Sequence, residues 1–112
     1  MIQKIAFACL FVLSGVLLMH AQEAGLVGTV TDPSGAVVAG AAVTATNVET
    51  NVERRVVSDD RGRYSISPLT VGRYQLTVEA KGFRTLAVSD IYLTIGQRGV
   101  TDVTMQLGQL SE

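Results

Sequence analysis

Cysteine and histidine are nearly missing from this 112-residue chain. Each occurs once, as Cys9 and His20, and tryptophan does not occur at all. Both single copies fall in the first 21 residues, so the rest of the chain has neither a thiol nor an imidazole. Serine–histidine and cysteine–histidine pairs are thereby excluded from it, and zinc loses its usual nitrogen and sulfur ligands. Disulfide bonds are excluded too, so the fold must rest on apolar packing alone. No tryptophan platform for a sugar ring can be built. An excess of charge is also lacking: nine Lys and Arg stand against ten Asp and Glu, a formal net charge of −1. That balance gives no electrostatic reason to expect a nucleic acid or an anionic membrane as partner. The eleven glycines are scattered singly, and none opens a helix in the manner of a phosphate cradle. No cofactor is expected.

Long apolar runs are scarce as well. One covers residues 5–19, interrupted by Ser14 and Gly15, with Lys4 before it and His20-Ala21 after it. A charged start, an apolar centre and a small residue before the cut predict a secretory signal peptide over residues 1–21, cleaved between Ala21 and Gln22. The run is shorter than the roughly 20 residues that a membrane-spanning helix needs. An uncleaved anchor is the alternative. Cys9 lies too early to become a lipidated first residue. The expectation is an exported chain with one domain over residues 22–108, a tail over 109–112 and no membrane span after cleavage.

What remains reads as strand after strand. Alternating Val, Thr, Ile, Leu and Tyr are broken by Gly, Pro, Asp and Asn clusters at about ten-residue spacing, the pattern of an all-β sandwich or barrel. The alternation predicts strands near residues 26–31, 41–47, 52–58, 63–67, 73–80, 85–95 (bent near Ser89-Asp90) and 100–107. Val43 and Ala45 share one face of the second; Glu53, Arg54 and Arg55 mark the third as an exposed edge. Pro68 ends the fourth, since proline cannot donate to a ladder. Val103, Met105 and Leu107 point inward from the last. Seven strands with short connections fit two antiparallel sheets packed face to face.

The tripeptide Gly-Arg-Tyr occurs twice, at Gly62-Arg63-Tyr64 and Gly72-Arg73-Tyr74. A paired ligand site is one reading. The period of two favours another, in which each glycine makes a turn, each tyrosine faces the core and each arginine faces solvent. Asp59-Asp60, the one adjacent carboxylate pair, lies in a turn where Asp bonds local backbone. Too few oxygens surround it for calcium, which takes six to eight. No catalytic residue and no metal ligand is assigned. For carbohydrate, Tyr92 and Phe83 are the aromatics left as weak candidate contacts. Arg54, Arg55, Arg61, Arg63 and Arg73 make the densest positive region, either solvated charge or a contact surface for a partner.

These motifs together resemble the carboxypeptidase regulatory-like domain. The matching features are Gly28-x-Val30-x-Asp32 with Gly35, Asp60-x-Gly62-x-Tyr64, Leu69-x-x-Gly72-x-Tyr74 and Gly82-Phe83, spread over about residues 25–107. The resemblance implies a seven-stranded, transthyretin-like sandwich, a fold also grouped with carbohydrate-binding-like domains, and a non-catalytic accessory role. The arrangement of signal peptide, domain and "MQLGQLSE" is similar to the N-terminal extension of TonB-dependent outer-membrane receptors. The implied partners are then a plug and barrel, and the implied location is the periplasm or outer membrane, with an extracellular location as the alternative. The sequence departs from the receptors in having no plug, barrel or TonB box. A small carbohydrate-binding module is the second functional expectation.

Overall fold

The computed structural model describes residues 23–108. The signal segment 1–21, its cut between Ala21 and Gln22, and the tail 109–112 lie outside the described residues. Eight strands follow one another among the described residues: β1 (Glu23–Thr31), β2 (Ala42–Asn47), β3 (Glu53–Val57), β4 (Arg63–Thr70), β5 (Gly72–Glu79), β6 (Leu86–Leu93), β7 (Arg98–Val100) and β8 (Val103–Thr104). One sheet has the order β4-β1-β7, with β8 also on β1; the other has the order β3-β2-β5-β6. Among the described residues there is no helix, and hence none long and apolar enough to cross a membrane.

The two inner faces are the ones that alternation predicts. Leu26, Val30 and Ile66 from the first sheet meet Val43, Ala45, Leu76 and Val78 from the second, none more than 1% exposed. Met105 closes this core from the C-terminal side. Burying such side chains contributes roughly 1.5–3 kcal/mol each, which is how the fold manages without disulfides. The charged strand β3 is an edge, as expected. On β6, Ser89 and Asp90 together oppose Gln75, because Tyr74 pairs with Ile91 and Leu76 with Val88. Asp90 takes a positive φ of 60° there. The bulge sits at the bend that the sequence suggests.

Four expectations need correction. The predicted final strand is two, β7 and β8, because residues 101–102 leave the ladder. The Thr101 carbonyl accepts from the Tyr64 hydroxyl, and an Asp102 carboxylate oxygen accepts from the Thr29 N–H at 2.9 Å. Both strands run parallel to β1, so the first sheet is mixed rather than antiparallel. Pro68 lies within β4 and does not end it. That strand is an edge, and the register of its pairing shifts between Ala24 and Leu26, where Ser67 and Pro68 share one space opposite Gly25. Leu107 is 65% exposed instead of inward, because residues 106–108 cross to the other sheet. There Arg84 N–H donates to the Gln106 carbonyl and Gly108 N–H to that of Gly82.

Candidate functional site

Each Gly-Arg-Tyr begins a strand, β4 or β5, and places its tyrosine inward and its arginine outward. Tyr64 is 4% exposed and Tyr74 is 3%, while Arg63 and Arg73 are exposed. The Tyr74 hydroxyl donates to the Thr70 carbonyl at 2.8 Å, bracing the tight connection between β4 and β5. Burial, with the Asp102 charge adding to it, pushes the Tyr64 phenol up to about 12. The two repeats anchor the sandwich from its interior and do not meet at a common surface.

The acidic residues of the motifs are committed to backbone in the same way. One Asp32 oxygen accepts from the Ser34 hydroxyl at 2.6 Å and from the N–H groups of Ser34 and Ala36. Those bonds, the hydroxyl foremost, hold its carboxyl below the usual range. Asp59 accepts from the N–H groups of Arg63 and Arg61, which likewise lower its pKa. The glycines make these close turns feasible. Gly62 has φ +73°, and a Cβ on it would lie 2.6 Å from the Val30 carbonyl oxygen. A Cβ on Gly28 would collide with the Thr101 carbonyl and approach Tyr64 Cε2 to 2.7 Å. Gly35, Gly72 and Gly82 are also at positive φ in their turns.

Three structural residues escaped the sequence reading. Asn47, 4% exposed, accepts from the N–H groups of Glu49 and Thr50 after β2. Buried Ser58 donates to the Val38 carbonyl and accepts from the Ala41 N–H. Arg54, read as plain edge charge, donates from Nη1 to the Pro68 carbonyl at 3.1 Å and ties the edge of one sheet to the edge of the other. An Asn at a strand end followed by Thr50 is a turn signal that could have revealed the first. The other two depend on contacts between distant segments.

The outer surface is what remains for recognition. Tyr92, 63% exposed, pairs across strands with Arg73. With Glu49, Leu93 and Thr94 they line an open groove of about 320 Å³. Phe83 is elsewhere: it is half-buried, packs against the core and bridges to Leu107 before β6 begins. The length of β6 separates the two aromatics, so they do not form one platform. A second groove, of about 430 Å³, crosses the outer face of β4, β1 and β7. Val27, Val100, Arg63 and Arg98 are among the residues that line it. Among the described residues no three His, Cys, Asp or Glu side chains gather at a point that could hold a metal ion.

Solved structures share this architecture. A candidate carbohydrate-binding protein from Bacteroides uniformis is 19% identical over 75% of this chain, with a TM-score of 0.61. The Bacillus anthracis TIE protein is 17% identical over 77%, with a TM-score of 0.62. Hydroxyquinol 1,2-dioxygenase from Pseudomonas putida is 14% identical over 81%, also at 0.62. The chain spans 41%, 17% and 58% of those three proteins, respectively. At such identities the likeness is one of fold. No curated protein matches the chain in sequence. The carboxypeptidase regulatory-like domain matches residues 25–106, nearly the whole of the described sandwich, and the chain belongs to that family.

Proposed function

We propose that this chain is an exported, non-catalytic module that presents a rigid surface to a neighbouring domain or protein. The observation that carries this reading is the use made of the motif side chains. Asp32, Asp59, Tyr64 and Tyr74 all hydrogen-bond backbone groups of the sandwich itself. The motif builds a scaffold, and recognition falls to the solvent-facing strands and loops. Export rests on the apolar run over residues 5–19 and on Ala21. The order of segments supports the periplasmic extension of a TonB-dependent receptor, with plug and barrel as partners in the periplasm or at the outer membrane. Expression of the full chain in a Gram-negative host, with a photo-crosslinking residue at Arg55, tests this. The expected product begins at Gln22, fractionates with the periplasm and cross-links to an outer-membrane receptor. An uncleaved chain held in the cytoplasm overturns it.

The Tyr92 groove favours a second reading, a small carbohydrate-binding module. An exposed aromatic beside Arg73, Glu49 and the Thr94 hydroxyl offers an apolar face and polar groups of both kinds to a sugar ring. A glycan array separates the readings: specific binding that is lost in Tyr92→Ala selects the carbohydrate module.

A further inference from the structure

The first and last strands of the domain are direct neighbours, and they run in the same direction. β1 pairs in parallel with β7 through Gly25, Leu26 and Val27, and with β8 through Val30 and Thr31. Bonds between backbone segments and one carboxylate extend this seam along the whole of β1. Gly96 N–H donates to the Glu23 carbonyl, Gly25 N–H to that of Gln97, Thr101 N–H to that of Val27 and Met105 N–H to that of Thr31. Thr29 N–H donates to Asp102.

The chain enters and leaves this seam at opposite ends. Glu23 lies at the end where β4 finishes, paired with Thr70. Residues 106–108 lie at the other end, bonded to residues 82–84 beyond Thr31. The nine residues of β1 make eight steps between the two ends, or about 26 Å at 3.3 Å per step. Tension applied between Glu23 and Gly108 therefore pulls β1 one way and β7 with β8 the other, along their own length. The bonds of the seam lie across that direction, so they are loaded together in shear and not opened one at a time. Val30 and Val103, both at most 5% exposed, must leave the core in the same event.

We infer that the domain is a force-bearing connector, in which the β1–β7–β8 seam acts as a mechanical clamp between whatever chain or partner is attached at its two ends. The inference rests on strand order and hydrogen bonding, and holds whether or not the export reading does. Because forced unfolding is governed by the unfolding barrier, a sheared seam resists more than its equilibrium stability alone implies.

Single-molecule pulling tests it. The full chain is stretched from handles at its two termini, and again from handles at Lys81→Cys and the C-terminus, with Cys9→Ser making the new thiol unique. The second geometry loads both attachments at one end and peels residues 106–108 and then β8 bond by bond. At equal loading rate the terminal geometry should rupture at roughly twofold higher force or more, since its barrier requires concerted loss of the seam. Asp102→Ala, which removes the Thr29 acceptor and leaves the strand pairing in place, should lower the terminal rupture force while the circular dichroism spectrum stays that of a β-sandwich. Equal forces in the two geometries, or a terminal force indifferent to Asp102→Ala in a folded protein, overturn the clamp.

Discussion

The Tyr64 hydroxyl donates to the backbone carbonyl of Thr101, 37 positions further along the chain. This bond fastens β4 to the segment where β7 gives way to β8, across the space left by the missing side chain of Gly28. Two motif residues, Gly28 and Tyr64, thus meet at the Thr101 carbonyl. Tyr64→Phe leaves the Thr101 carbonyl without this donor and should cost about 1–3 kcal/mol in a urea titration at neutral pH.

The same phenol sets an alkaline limit. Its pKa rises to about 12 in the folded chain, from the ordinary value of 10.0. Below pH 10 the phenol is protonated in both states, and its contribution is fully present. Between pH 10 and 12 the unfolded chain loses the proton while the folded chain keeps it, so stability falls as pH rises. The loss approaches about 2–3 kcal/mol. Denaturant midpoints across this range should fall for the parent chain, and more gently for Tyr64→Phe.

At the acid side the sign is opposite. Asp32 and Asp59 have lowered pKa values because hydroxyl and N–H groups bond their charged forms. Their stabilising effect is present above the ordinary value of 3.8 and is lost as pH falls through the folded-state values. Asp59→Ala should therefore flatten the acid limb of a stability–pH curve recorded by circular dichroism.

The second Gly-Arg-Tyr separates core from surface within two adjacent residues. Tyr74→Ala should cost about 3–5 kcal/mol, as large aromatic truncations in cores do. Among the described residues the Arg73 guanidinium makes one ion pair, an exposed one with Asp90 at 3.9 Å, so Arg73→Ala should change stability by less than about 0.5 kcal/mol. Equal shifts in denaturant midpoint would contradict the inward and outward assignment.

Glycines of the motif should differ in cost by what stands next to them. At Gly28 a methyl group meets the Thr101 carbonyl, which the Tyr64 bond holds in place. Gly28→Ala should destabilise by about 3 kcal/mol, at the upper end for overpacking. At Gly35 nothing lies within 4 Å of the added methyl, and only its φ of +89° opposes it, so Gly35→Ala should cost about 1–2 kcal/mol. Thermal unfolding of both variants checks the order.

Much of the sandwich is legible from local pattern. β2 and β5 follow from alternation, β3 from its charges, and the buried tyrosines from their place after turns. Alternation assigns a residue to a face but does not choose a strand's neighbour, and a parallel pairing leaves no turn signature. The placement of β7 and β8 beside β1 was therefore hidden. So was the exposure of Leu107, since the crossing of residues 106–108 depends on carbonyls near Gly82. Pro68 misled because the rule concerns ladder donors, and on edge strand β4 its missing donor is tolerated. Of the candidate surface, Tyr92 stood out as an unassigned aromatic. Its neighbours Glu49 and Arg73 come from other segments and carry no local mark.

Sheet order also governs when the molecule can become whole. The strand formed first in the chain, β1, waits for partners near its opposite end, and Val30 stays uncovered on that side until Val103 arrives. Contacts of such long sequence separation fold slowly. A chain produced from the amino end must hold this side of its inner strand unpaired until residues 98–104 have emerged.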